Sequence, residues 1–286
     1  MQVPFRLVDV FAEQPLGGNQ LCVVLESSGL ADAQMQALAR EIGFSETTFV
    51  TQAGGDSYSM RVFTPSGELP FAGHPTLGTA FVLASEGRVS GRSLTQRVAA
   101  GTYSVEVDLV AGAARLLGTT PTFGATVDDS ELVADGAGIS VRDLHPDLVP
   151  QVVSIGLPHL MVPAASLSAV AHALPDERAL RLLVQTCGAD GYYLFAFDEL
   201  GGIKARLWAP EIGVSEDPAT GSAAGAVAAY LRSVGRFPES GTLAVHQGEE
   251  VGRPSLLTAT AEATADGLEV TVGGRVWVVG EGHFRL

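Results

Sequence analysis

The sequence predicts an α+β fold made of two repeated halves, each dominated by strands and each carrying one long helix. Three observations support this. Residues 206–231 (RLWAPEIGVSEDPATGSAAGAVAAYL) read as a strand, a turn-rich loop and a small-residue helix, and residues 61–83 (RVFTPSGELPFAGHPTLGTAFVL) read the same way. Arg61, Phe63 and Pro65 lie 145 residues before Arg206, Trp208 and Pro210, while Gly73-His74, Ala80 and Leu83 lie 148 before Gly221-Ser222, Ala228 and Leu231. Third, EIGFSETTFV (41–50) echoes TCGADGYYLF (186–195), and GNQLCVV (18–24) more weakly echoes LPHLMVP (157–163), with Asn19 over Pro158. Echoes that keep one order argue for an internal duplication, and 286 residues suit one large domain or two halves.

Taken in order, residues 3–11 and 20–25 alternate as strands around the turn-rich EQPLGGN. Residues 31–42 place Met35, Leu38 and Ile42 on one helical face, and Gly43 stops that helix. A strand then opens at Ser45-Glu46, and another at 57–64 feeds the loop before His74. Pro75 suits the first turn of the next helix, where Gly78 and Ala80 allow close packing inside a sheet. Strands near 94–99, 102–109 and 113–118 finish the first half, and the polar TTPTFGATVDDS (119–130) marks a boundary. The second half repeats the plan, with strands at 151–155, 159–163 and 191–197, a helix at 176–187, and strands from about 242 to 279. The domains expected are therefore 1–118, joined by a returning terminal strand at about 275–286, and 119–274.

Composition narrows the function. Hydrophobic residues make up 46% and charged residues 17%, enough for real cores. A net charge of −15 with no basic cluster repels phosphate backbones and excludes nucleic acid as a partner. Cys22 and Cys187 sit in apolar runs and read as buried small hydrophobes; neither a C-x-x-C, an H-E-x-x-H nor a His-rich spacing predicts a metal site. MQVPFRLVDVF enters strand sequence at once rather than reading as a signal peptide, and the longest apolar run, Ala223 to Leu231, falls short of the ~20 residues a bilayer requires. A reducing cytoplasm and no membrane partner are expected.

The chemistry is expected where the two helices begin. Helix starts bind anions through outward-pointing N–H groups and the dipole, and glycines leave the amides open at Gly73-His74 and Gly221-Ser222. Duplicated halves would bring both starts to one cleft, shaped for a small carboxylate. Residues that break the repeat are the functional candidates: Glu46 lies over Gly191, His74 over Ser222, and Asp217 has no acidic counterpart other than Glu68. Each has a structural alternative. Glu46 could open a strand, His74 or Ser222 could cap a helix, and Asp217-Pro218 could make a turn.

GNQLCVVL, GFSETTFV, FTPSGELPFAGHPTLGTAFVL, EDPATGSAAGA and QGEEVGRPS together resemble the phenazine-biosynthesis PhzF family over essentially the whole chain, with AGHPT and EDPATGSA the most specific. The resemblance implies a diaminopimelate epimerase-like fold, two domains each wrapping a mostly antiparallel, barrel-like sheet around a central helix. It implies a homodimer, no cofactor, and a site in the interdomain cleft. It makes Glu46 the proton-shuttling acid/base, with His74, Asp217, Ser222 and Asn19 on the substrate and the Gly73 and Gly221 amides near its carboxylate. The default reaction is isomerisation of trans-2,3-dihydro-3-hydroxyanthranilate. The cysteine pair of related epimerases falls on about Ala72 and Thr220, which removes two-thiol epimerisation and leaves a single base, whose pKa should be raised by partial burial. Other readings are a non-thiol epimerase or racemase, a serine hydrolase using Ser222, His74 and Asp217, and a non-catalytic small-acid binder. Ser222 lacks a G-x-S-x-G elbow, the single lysine, Lys204, disfavours pyridoxal-phosphate chemistry, and no G-x-G-x-x-G follows a strand. Arg253, in QGEEVGRPS, is assigned to either the cleft or the dimer contact.

Overall fold

A computed structural model describes residues 1–265 and 267–286. The first elements are β1 (Gln2–Val10), β2 (Asn19–Val24), α1 (Asp32–Ile42), β3 (Glu46–Gly54), β4 (Ser57–Phe63), β5 (Glu68–Leu69), α2 (Gly73–Ser85), β6 (Ser93–Val98), β7 (Gly101–Asp108) and β8 (Ala113–Thr119). Then come β9 (Thr122–Thr126), α3 (Ser130–Ala137), β10 (Gln151–Ser154), β11 (Pro158–Pro163), α4 (Leu167–His172), α5 (Glu177–Cys187), β12 (Gly191–Phe197) and β13 (Ile203–Ala209). The last are β14 (Val214–Asp217), α6 (Gly221–Ser233), β15 (Leu243–Gln247), β16 (Ser255–Thr264) and β17 (Gly267–Arg285). The chain divides into two compact units, Met1–Gly118 with Gly273–Leu286, and Thr119–Val272.

In the first unit the strands close a ring. β1 pairs antiparallel with β2, β2 parallel with β3, β3 antiparallel with β4, β4 parallel with β6, and β6–β7–β8 continue antiparallel. β8 pairs with β17, whose far end runs antiparallel to β1 from Val10↔Val276 to Gln2↔Arg285. Helix α2 touches β1, β2, β3, β6 and β7, and every residue from His74 to Leu83 is buried. A helix enclosed on all sides cannot be amphipathic, which is why its sequence lacks a polar face. Gly78 makes the fit possible, since a Cβ there would lie 2.6 Å from Leu21 Cδ2 and 2.9 Å from Val10 Cγ2. By contrast, α1 buries one stripe, Met35, Leu38 and Ala39, against Phe49 and Phe63, and stops at Gly43 with φ 70°.

The second unit follows the same element order. β9–β10–β11 run antiparallel, β11–β12 parallel, β12–β13 antiparallel, β13–β15 parallel and β15–β16 antiparallel. Helix α6 is buried from Gly221 to Leu231 and packs on β10, β11 and β16. A Cβ on Gly225 would lie 2.2 Å from Ile155 Cδ1 and 2.8 Å from Val272 Cγ2. The polar stretch 119–130, expected as a boundary, contains β9, which pairs Thr126 with Gln151 and Thr122 with Ser154. Every residue of β9 is exposed, so it has no buried face to produce an alternating pattern. Short α3 and α4 were also unforeseen; Asp129 and Ser166 start them by accepting from the Leu132 and Ala169 amides.

Candidate active site

In the first unit, the parallel register of β2 and β3 sets Leu21 beside Glu46, the first residue of β3. α2 begins at Gly73 after Ala72, which has no side chain to cap the helix. His74 is therefore the second helical residue, not the cap, and it is 5% exposed. Its Nε2 donates to the Gln20 carbonyl at 3.3 Å and lies 3.7 Å from Glu46 Oε2. A carbonyl can only accept, which fixes a proton on Nε2. Glu46 Oε2 is itself buried without a hydrogen-bond donor. Burial raises the Glu46 pKa, and the Ser45 hydroxyl pulls the other way. Ser45 Oγ also lies 3.3 Å from Asn19 Oδ1, which places the buried Asn19 beside this group. Glu46, His74, Gly73 and Asn19 thus assemble within one unit.

In the second unit, α6 begins at Gly221 after Thr220, whose hydroxyl is turned to the Asp217 carboxylate and not to the helix. Neither α2 nor α6 is capped by its N-cap side chain. Ser222, whose structural alternative was the cap, is the second helical residue, matching His74. Its hydroxyl is 2.8 Å from Nε2 of His159, a ring 1% exposed. Burial lowers the His159 pKa to about 4. This histidine was missed because it sits in a strand of apolar residues, LPHLMVP, where a lone His reads as core. Its signal lay in the repeat. β11–β12 sets His159 beside Gly191, the position matching Glu46, and a Cβ on Gly191 would lie 2.8 Å from His159 Nδ1. The glycine gives its side-chain space to the imidazole. This register aligns Leu21 with His159, one residue from the alignment of Asn19 with Pro158.

The unmatched status of Asp217 also has a structural basis. Arg61 pairs with Glu68 at 2.7 Å and lies 5.0 Å over Phe63; Arg206 pairs with Glu216 at 2.8 Å and lies 4.7 Å over Trp208. Glu68 is therefore the counterpart of Glu216, and Asp217 falls opposite Leu69.

QGEEVGRPS proves to brace the loop before α6. Gln247, 1% exposed, donates to the Asp217 carbonyl at 2.8 Å and to Thr220 Oγ1 at 3.1 Å. Its carbonyl accepts from the Thr220 amide and the Tyr193 hydroxyl, each at 3.3 Å. Gly248 has φ 84°, and a Cβ there would lie 2.4 Å from both the Pro218 and Arg253 carbonyl oxygens. Lys204 pairs with Glu249 and, at 2.7 Å, with Glu250. Among the described residues no group of His, Cys, Asp and Glu could hold a metal ion, and no helix is long and apolar enough to cross a membrane.

Comparison with known proteins agrees with this layout. The model of the PhzC-PhzF family, phenazine biosynthesis-like protein, matches residues 8–282. The trans-2,3-dihydro-3-hydroxyanthranilate isomerase of Pseudomonas fluorescens is 36% identical over 295 aligned positions, covering 99% of each chain. The crystal structure of the Bacillus anthracis phenazine biosynthesis protein of the PhzF family superposes with a TM-score of 0.88 at 26% identity, covering 100% of both chains. At the level of fold alone, a probable proline racemase from Agrobacterium radiobacter gives a TM-score of 0.68 at 12% identity over 99% of this chain and 93% of its own. Matched along almost its whole length, with the diaminopimelate epimerase-like α+β fold, the chain belongs to the PhzC-PhzF family of phenazine biosynthesis-like proteins.

Proposed function

We propose that the protein is a cofactor-independent isomerase that moves a proton within trans-2,3-dihydro-3-hydroxyanthranilate, with Glu46 as the acid/base. One observation carries the reading: a buried carboxylate oxygen, Glu46 Oε2, that no protein donor satisfies, beside a histidine at 3.7 Å. A structural carboxylate would be paired or hydrated, because an unsatisfied buried acceptor is costly. A raised pKa suits a group that must first take a proton from carbon and then return it. In the reaction the Glu46 carboxylate accepts a C–H proton and the electron pair spreads through the conjugated system. The neutral carboxyl, exchanging its proton with water, then delivers a proton to a different carbon, so the composition of the molecule is unchanged.

The remaining roles follow the family likeness. His74 stabilises charge as it develops, Asn19 orients Glu46 through Ser45, and Asp217 and Ser222 hold the polar groups of the substrate. The Gly73 and Gly221 amides receive its carboxylate. A serine hydrolase is disfavoured, because the base on Ser222 would be His159, too weak near neutral pH. Thiol epimerisation is also disfavoured: Ala72 and Thr220 precede the two helices, and burial pushes the Cys22 thiol up to about 12. A cytoplasmic homodimer completes the reading, and sedimentation equilibrium tests the dimer.

The deciding experiment incubates the enzyme with the substrate in D₂O. Deuterium should appear at carbon in the product, and Glu46→Gln should lower turnover by about 10²–10⁴-fold while still binding. Full turnover in Glu46→Gln would remove the carboxylate from the mechanism.

A further inference from the structure

The Nδ1 edge of His159 faces Gly191, beside Leu207 and Ala209, and Nδ1 is buried with no hydrogen-bond partner. A proton placed there would be a buried donor with nothing to accept it, a rarer and costlier condition than a bare lone pair. The ring proton therefore belongs on Nε2, the atom 2.8 Å from Ser222 Oγ. Burial also keeps the ring from taking a second proton near neutral pH. A serine hydroxyl that accepts a hydrogen bond still has its own proton to donate.

Resting on the functional reading above, we propose that His159 is a positioning residue that donates Nε2–H to Ser222, committing the Ser222 hydroxyl to act as a donor and so selecting ligands that present an acceptor oxygen, such as a carboxylate. The two units then use one architecture for two tasks. Where the first carries a proton-transferring carboxylate beside the second residue of its central helix, the second carries a neutral imidazole that fixes the direction of a hydroxyl. Gly191 is part of the device, because any side chain there would meet the ring.

The tautomer is read directly on the wild-type enzyme by ¹⁵N NMR of the histidine rings, assigned with His159→Gln. A proton on Nε2 of His159 is expected, and a proton on Nδ1 would overturn the proposal. Kinetics test the consequence. His159→Leu should raise KM about tenfold, the scale of one hydrogen bond, with kcat within about twofold. His159→Gln, which retains a donor at similar reach, should recover most of the loss. In Ser222→Ala the same change at His159 should add nothing further. If Ser222→Ala raises KM and His159→Leu does not, the role of His159 is refuted while the functional reading stands. If Ser222→Ala leaves KM unchanged, Ser222 does not hold substrate and the proposal falls, while the role of Glu46 is still decided by deuterium labelling and Glu46→Gln.

Discussion

Acid should destabilise this protein through His159 by an amount the structure sets. The ring is 1% exposed and its pKa is lowered to about 4, from an ordinary value of 6.5. Because the folded pKa is depressed, the unfolded chain binds a proton first as pH falls. The stability is complete above about pH 6.5 and is lost as pH drops toward 4, at about 1.4 kcal/mol per pH unit across the window. Between pH 7.5 and 5 the loss is about 2 kcal/mol. Glu46 works in the opposite sense, since burial raises its pKa and the folded state binds a proton there more tightly. The difference between wild type and His159→Gln removes Glu46 and every other carboxylate from the comparison. Urea midpoints should be measured on both proteins from pH 7.5 to 5, stopping short of the sequence pI near 4.7, where the net charge vanishes. Wild type should lose about 2 kcal/mol relative to the variant over that range. A difference flat with pH would show that the folded protein tolerates charge at His159, and the assignment of a neutral ring donor would fail with it.

Two packing predictions follow from the second unit. Gly225→Ala should cost about 1–2 kcal/mol despite the better helix propensity of alanine, because the new Cβ meets Ile155 Cδ1 at 2.2 Å. Ile155→Val in the same protein removes that methyl and should recover part of the loss in thermal melts. Gln247→Leu leaves the Thr220 amide and the Tyr193 hydroxyl without their acceptor, for about 3 kcal/mol in urea denaturation. It should also raise KM more than it lowers kcat, because it frees the loop carrying Asp217.

Much of the architecture was legible because it rests on local patterns. Alternating runs marked the longer strands, Gly43 marked a helix end, and the small-residue runs after His74 and Ser222 marked helices enclosed by sheet. β9 was not legible, because a fully exposed strand carries no periodic signal. The site divided in the same way. Glu46, His74, Asp217 and Ser222 were singled out as candidates by asking where the two halves of the sequence disagree, which requires no coordinates. The duties of their neighbours required coordinates, because hydrogen bonds between distant strands follow register. Gln247 meets Thr220 and Asp217 across a sheet, and His159 meets Ser222 from a strand 63 residues away in the chain. The sequence by itself determined which side chains are exceptional. Only the tertiary structure decided which atoms of those side chains are buried and satisfied, and that sets the proton on His159 and the raised pKa of Glu46.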